Sequence, residues 1–163
     1  MKFAVIFFLL STVLSAQCKL VIDEQTQSYM AVGFGDRTVF EDSSFSGWFD
    51  KEYAFYHVDE DAFDKLETGL HNLNITIVMG TWCSDSKREI PRFLKILDKL
   101  DFPEDAVKLI FVDREKRGLE DEVEYLDIEL VPTIIFYRDD EELGRIVESP
   151  YGTLEEDIID ILK

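Results

Sequence analysis

A single cysteine at the start of a helical pattern is the most reactive feature of this sequence. Residues 80–87 read GTWCSDSK, and Cys83 separates a β-branched run from an amphipathic segment. Orphan backbone N–H groups and the dipole at a helix start favour the thiolate, which is the nucleophilic form of cysteine. Three positions later, where a dithiol site would carry its second sulfur, stands Ser86. The pattern predicts thiol chemistry with one sulfur; a buried, inert cysteine is the alternative.

Three neighbours of Cys83 bear on that chemistry. We expect Trp82 to pack beside the site and shield one side of the sulfur. Ser86 lies one turn along the same helix face, so its hydroxyl could donate a hydrogen bond to a thiolate but could not attack a disulfide. An ordinary first-turn serine is an equally good interpretation of Ser86. Asp85 complements the helix dipole, although its negative charge would oppose ionisation of the thiol.

The elements that must position Cys83 alternate between helix and strand. Apolar residues at helical spacing predict helices, and β-branched runs predict strands. The predicted helices cover 61–73, 84–100 with Pro91 inside, 118–126, and the segment from Thr153, where Glu156 completes a capping box. The predicted strands cover 75–79, 107–112, 133–137 and 143–147, the last two as a hairpin. This order predicts an α/β fold with a four-stranded mixed central sheet flanked by helices.

The order of elements and several short motifs resemble the thioredoxin family. Trp82-Cys83 matches the opening of the family's WCxxC motif, and Lys87 follows the motif as a lysine often does there. Pro91 matches the proline that kinks the family's active-site helix. The resemblance covers residues 61–163 and implies a thioredoxin-like fold of the exported bacterial type, with a CxxS variant of the motif.

The resemblance also assigns a role to the segment Val131-Pro132-Thr133. It matches the family loop whose proline is cis and faces the active-site sulfur. By that resemblance, the backbone of Val131 would pair with a bound peptide in the manner of a strand. A proline that merely breaks a loop is the alternative interpretation of Pro132.

Two departures from the family indicate that the dithiol machinery is missing. Ser86 replaces the resolving cysteine. Ile77, six positions before Cys83, stands where thioredoxins place a buried acid that handles a proton. A third departure does not concern the dithiol: Glu148 and Ser149 stand where the family often has a glycine beside the site.

Three functions are compatible with this pattern. The first is thiol–disulfide exchange through a mixed disulfide on Cys83, with protein or small-molecule thiols and disulfides as partners and no cofactor. The second is a non-catalytic binding or chaperone-like module on a thioredoxin scaffold. The third is iron–sulfur binding in the manner of monothiol glutaredoxins, but Cys83–Ser86 lacks the glycine and aromatic residue of that motif. His57 and His71 are isolated, so we assign no metal site.

The first residues of the chain predict export. Residues 1–16 combine an early lysine, an apolar run and small residues, which is typical of a secretory signal peptide. We therefore expect a periplasmic or secreted protein. Cys18 would follow the cleavage site, but Gln17 is too large for the lipidation pathway, so a lipid anchor is the less favoured interpretation. An unpaired thiol is the simplest interpretation of Cys18; a disulfide with Cys83 or with another chain is the alternative.

The remaining segment, residues 17–60, is rich in aromatic side chains. It predicts an irregular N-terminal extension with one or two short strands, lying across a domain at 61–163.

The whole chain carries 35 acidic and 17 basic residues, a formal net charge of −18. This balance argues against nucleic acids and anionic membrane surfaces as partners, since both require basic patches.

Overall fold

The structure is a computed structural model that describes residues 18–62, 65–66 and 69–163. The predicted signal peptide at 1–16 lies outside the described residues, and so do positions 63–64 and 67–68 of the helix predicted over 61–73. The strands are β1 (Lys19–Ile22), β2 (Tyr29–Gly35), β3 (Leu73–Met79), β4 (Val107–Phe111), β5 (Thr133–Arg138) and β6 (Glu141–Val147). The helices are α1 (Ser46–Phe55), α2 (Ser84–Lys99) and α3 (Leu154–Leu162). Within the described ranges, none of the helices has the length and apolar character needed to cross a bilayer.

One mixed sheet of six strands organises the chain, in the order β1-β2-β4-β3-β5-β6. Strands β3 and β4 are parallel, and every other neighbouring pair is antiparallel. The prediction of four strands was therefore wrong. The N-terminal segment adds β1 and β2, with Gly33 of β2 opposite Phe111 of β4. The one or two short strands expected in this segment are β1 and β2, but its expected irregularity was wrong, since α1 and a short 3-10 helix at Arg37–Glu41 follow these strands.

The central strand β3 carries the chain to the site. Ile75, Ile77 and Met79 are fully buried in the larger apolar cluster, and Val78 faces a second cluster on the opposite side of the sheet. Because β3 is covered on both faces, it reads as a continuous apolar run rather than an alternating one. The backbone leaves β3 at Met79 and reaches Cys83 four positions later.

Helix α2 confirms the helix predicted over 84–100. Its apolar face buries Ile90, Phe93, Leu94 and Leu97, and the rings of Phe93 and Phe136 meet edge to face at 5.9 Å. These contacts fix the helix on the sheet, so its N-terminus is held at the carboxyl end of β3.

The N-terminal segment covers the outer side of α2. Tyr53 in α1 donates a hydrogen bond to Asp98 at 2.6 Å, and Arg37 contacts the same carboxylate at 2.6 Å. Burial, reinforced by the bond to Asp98, raises the pKa of Tyr53 to about 12. The ring of Phe40 stacks on Phe49 at 4.3 Å and meets Phe111 at 5.7 Å. The segment is thus part of the core rather than a peripheral tail.

The helix predicted over 118–126 is absent, because these residues form turns. The side chain of Glu122 accepts hydrogen bonds from the backbone of Leu119 and Glu120, which satisfies those N–H groups outside a helix. Val123 and Leu126 pack against the second apolar cluster. Tertiary packing and local side-chain bonds here override the helical pattern.

Helix α3 confirms the prediction of a capping box at Thr153. The hydroxyl of Thr153 accepts from the backbone of Glu156 at 3.1 Å, and the Glu156 carboxylate accepts from the backbone of Thr153 at 3.1 Å.

We expect Thr153→Ala to lower the free energy of unfolding by about 1 kcal/mol, measured by urea denaturation. Thr153→Ser keeps the cap and serves as the control; equal stability of the two variants would contradict this prediction.

Candidate functional site

Cys83 occupies the N-cap position of α2, as expected. Its backbone is extended, with φ −82° and ψ 132°, and its carbonyl accepts the first helical hydrogen bond from Lys87 at 3.1 Å. Its N–H donates to Gly80 at 2.9 Å and closes the turn between β3 and α2. The side chain is half-buried and makes no capping hydrogen bond.

The sulfur of Cys83 instead faces the loop before β5. Its Sγ donates to the carbonyl oxygen of Val131 at 3.1 Å. The Val131–Pro132 peptide bond is cis, and Val131, Pro132 and Thr133 are all buried. The fold therefore brings together the two segments that the sequence analysis singled out. Since a thiolate cannot donate, this bond belongs to the protonated thiol and is lost when Cys83 ionises.

Two hydroxyl groups fix the backbone around this contact. Ser86 is fully buried, and its oxygen accepts a hydrogen bond from the backbone of Gly80 at 3.3 Å. This bond ties the first turn of α2 to the end of β3, whereas the sequence analysis considered a bond from Ser86 to the sulfur. Thr133 donates to the carbonyl of Leu130 at 2.7 Å and holds the loop that presents Val131.

Trp82 lies beside the turn and is anchored to the neighbouring strand. Its indole N–H donates to the carbonyl of Val112 at 2.9 Å. The guanidinium of Arg114 lies over the same ring, 5.1 Å from its centroid. Trp82 is half-buried and packs, like Cys83, against the second apolar cluster, so both side chains lie on the same side of the sheet.

Sequence reasoning missed Arg114. It follows β4, and because β3 and β4 are parallel, the residues after both strands meet at one edge of the sheet. Arg114 forms an ion pair with Asp23 at 2.8 Å. The Arg114 side chain, with help from Thr26, holds the pKa of Asp23 well below its usual range. The predicted parallel arrangement of β3 and β4 could have indicated that Arg114 lies at the same edge of the sheet as Cys83.

The charges on the first turn of α2 compensate one another. Asp85 pairs with Arg88 at 2.8 Å, and Arg88 also contacts the buried Glu89 at 2.5 Å. The acid that would oppose a thiolate thus has a cationic partner three residues away.

Apolar side chains flank the loop that faces the sulfur. Leu130 is 42% exposed next to Val131, and Val147 of β6, opposite Thr133, is 38% exposed. Exposed apolar residues around a backbone edge suit an extended peptide better than a small polar ligand.

Cys18 lies far from this site. Both cysteines are free, and Cys18 precedes β1, which is separated from β3 by β2 and β4. Three strand spacings amount to about 14 Å, whereas a disulfide needs Cα atoms within about 7 Å. This arrangement contradicts an intramolecular pair with Cys83. Burial raises the pKa of the Cys18 thiol.

No cluster of three or more metal-ligating side chains occurs in the described part of the chain. No protein-family model matches the sequence, and no curated protein matches it.

Solved structures show similarity of fold alone. A protein of unknown function from Pseudomonas aeruginosa superposes with a TM-score of 0.54 at 17% identity, over 79% of this chain and 90% of that one. An HIV epitope-scaffold gives a TM-score of 0.53 at 17% identity, over the same 79% and 90%. Thioredoxin O2 from Arabidopsis thaliana, in its oxidised state, is 23% identical over 59% of this chain and 76% of that one, but its TM-score of 0.35 is too low to support an argument. The chain thus shares an α/β fold with two solved proteins, and its site must be interpreted from its own residues.

Proposed function

We propose that this chain is an exported thioredoxin-like protein whose single active-site cysteine, Cys83, carries out thiol–disulfide exchange. The observation that supports it best is the Cys83 sulfur at the start of α2, 3.1 Å from the Val131 carbonyl. Trp82 and the buried Ser86 complete the site. The signal-peptide pattern at 1–16 supports a location outside the cytoplasm.

The reaction needs only one sulfur from the protein. The Cys83 thiolate attacks one sulfur of a disulfide, forms a mixed disulfide with it, and releases the other sulfur as a thiolate. An external thiolate then attacks the client sulfur, forms a new disulfide with it, and releases Cys83 as a thiolate. The number of disulfides stays constant, so no net oxidant or reductant is consumed.

Ionisation of Cys83 also changes the neighbouring loop. When the thiol loses its proton, its hydrogen bond to Val131 is lost and this carbonyl can accept an N–H from a client backbone. Leu130 and Val147 lie where apolar side chains of that client would pack. Ionisation therefore activates the sulfur and at the same time frees one acceptor site on the Val131 carbonyl.

A non-catalytic binding module is the second candidate. The hydrogen bond from the Cys83 thiol to Val131 favours it, because that bond stabilises the protonated, less reactive sulfur. The exposed side chains of Leu130 and Val147 would then contact a peptide that forms no covalent bond with Cys83.

Reaction with glutathione disulfide separates the two candidates. We expect the reduced protein to form a mixed disulfide on Cys83 faster than on Cys18, whose thiol is half-buried and has a raised pKa. The reaction is stopped with acid at intervals, and peptide mass spectrometry assigns each adduct. If Cys83 stays unmodified in the folded protein while both cysteines react in urea, the exchange function is rejected and the binding module is favoured.

A further inference from the structure

We propose that Arg114, held by Asp23 of the N-terminal β1–β2 hairpin, is a positioning residue that keeps Trp82 in place and stabilises the thiolate of Cys83. This inference rests on the proposed exchange function. It assigns a role in the site to the N-terminal segment, which lies outside the region that resembles thioredoxins.

The contact between Arg114 and Asp23 has the geometry of a rigid fork. The Nε atom of Arg114 lies 2.9 Å from one carboxylate oxygen of Asp23, and an Nη atom lies 2.8 Å from the other. Such bidentate pairs fix the plane of the guanidinium as well as its position. The fixed plane lies over Trp82, with 5.1 Å between the guanidinium carbon and the ring centroid.

Asp23 is itself fixed by the hairpin turn. Its side chain is 2% exposed and accepts hydrogen bonds from the backbone of Gln25 at 3.1 Å and the hydroxyl of Thr26 at 2.7 Å. Its N–H donates to Ser28 at 2.8 Å across the turn. With so many bonds to its own turn, Asp23 is a stable support for the Arg114 side chain.

A second buried contact ties the same hairpin to the site. The N–H of Ala31 in β2 donates to the hydroxyl of Thr81 at 3.0 Å, and both residues are buried. Thr81 directly precedes Trp82. The hairpin therefore holds the Trp82-Cys83 turn at two points, directly through the side chain of Thr81 and through Arg114 at the ring of Trp82.

The guanidinium of Arg114 lies over Trp82, the residue next to Cys83, so its positive charge is on the same side of the turn as the sulfur. The hydrogen bonds that Arg114 donates to Asp23 are the main reason that the pKa of Arg114 is raised, and negative charge on Glu115, and on Cys83 when it is ionised, acts in the same direction. Electrostatic attraction is mutual, so a thiolate that stabilises the guanidinium is itself stabilised by it. Arg114 thus opposes the effect of the Val131 carbonyl, which favours the thiol.

The test measures alkylation of Cys83 by iodoacetamide at neutral pH, with Cys18→Ser in every protein. The double variant Asp23→Asn with Arg114→Gln removes both charges and leaves no unpaired carboxylate; we expect its rate to fall about threefold to tenfold. Asp23→Asn alone keeps an amide oxygen that can accept one of the two hydrogen bonds from Arg114, so the cation stays over Trp82 without the neutralising carboxylate, and this variant should react at least as fast as the parent. Arg117→Gln, which removes an exposed pair with Asp113 in the same loop, is the control and should leave the rate unchanged.

The outcomes separate this inference from the exchange function. A parent protein that reacts more slowly than free glutathione thiol would reject the exchange function, whatever the variants do. With a reactive parent, the inference is overturned if the folded double variant matches the parent, or if Asp23→Asn is slowed as much as the double variant. Circular dichroism checks folding; should the double variant unfold, Asp23→Asn alone decides, with a slower rate overturning the inference and an equal or faster rate supporting it.

Discussion

Replacing Ser86 by cysteine is expected to shorten the lifetime of a mixed disulfide on Cys83 from minutes or hours to about a second or less. In the parent chain, release requires an external thiol, and uncatalysed exchange of that kind takes minutes to hours. A second sulfur one helical turn along would attack from within the site, where effective concentrations far exceed those of a dissolved thiol. The measurement is the rate at which a preformed glutathione adduct on Cys83 is released at one fixed, low concentration of external thiol.

Ser84→Cys is the matched control for this substitution. It places the same thiol on the same helix but on the exposed position next to Cys83, and adjacent helical residues do not face each other. Ser86→Cys also weakens the hydrogen bond from Gly80, at a cost of about 1 kcal/mol that leaves the fold intact. If the adduct on Ser86→Cys lasts as long as on Ser84→Cys, the thioredoxin-like geometry of the site is refuted.

The second large effect concerns Ile77. The substitution Ile77→Asp, which introduces an acid six positions before Cys83, is expected to lower the free energy of unfolding by about 3–5 kcal/mol near pH 7. Ile77 is fully buried in β3 between Leu109 of β4 and Ile134 of β5, so the new carboxylate would lie among apolar side chains. Urea denaturation at several pH values measures the change.

The control for Ile77→Asp is Ile77→Val, which should cost about 0.5–1.5 kcal/mol. Burial raises the folded-state pKa of the new carboxyl above its unfolded value, so the charge penalty applies above that raised pKa and shrinks as the pH falls through it. Equal stability of the two variants near neutral pH would mean that the acid finds a polar partner, contrary to the packing around Ile77.

The hydrophobic periodicity of the sequence correctly predicted the elements that bury a whole apolar face, such as β3 and α2. The apolar run at 75–79 favours only a buried strand, and the amphipathic pattern of α2 favours only a helix. Both elements are observed. Strand β2 reads YMAVGFG, in which two glycines weaken any strand pattern. Its strand conformation depends on pairing with β4, a contact between distant segments that no local pattern encodes.

The contacts of the site also differ in how far they could be predicted. The proximity of Cys83 to the Val131-Pro132 loop was predicted, because the motifs that contain these residues resemble those of a family in which the two segments are adjacent. The hydrogen bond of Ser86 to Gly80 could not be foreseen, since a hydroxyl in a first turn has several partners within reach. Arg114 depends on Asp23, 91 positions away, and on the added hairpin that the resemblance does not cover.

The pairing of β2 with β4 also sets an order of assembly during synthesis. Strands β1 and β2 and helix α1 are made first, but β4 is made only after β3 and α2. A two-stranded hairpin is marginal by itself, and the buried ring of Phe40 lacks one of its final partners until Phe111 has been added. The N-terminal third therefore cannot complete its folding until β4 has been synthesised. The nascent chain is therefore most prone to aggregation in the interval before β4 is complete.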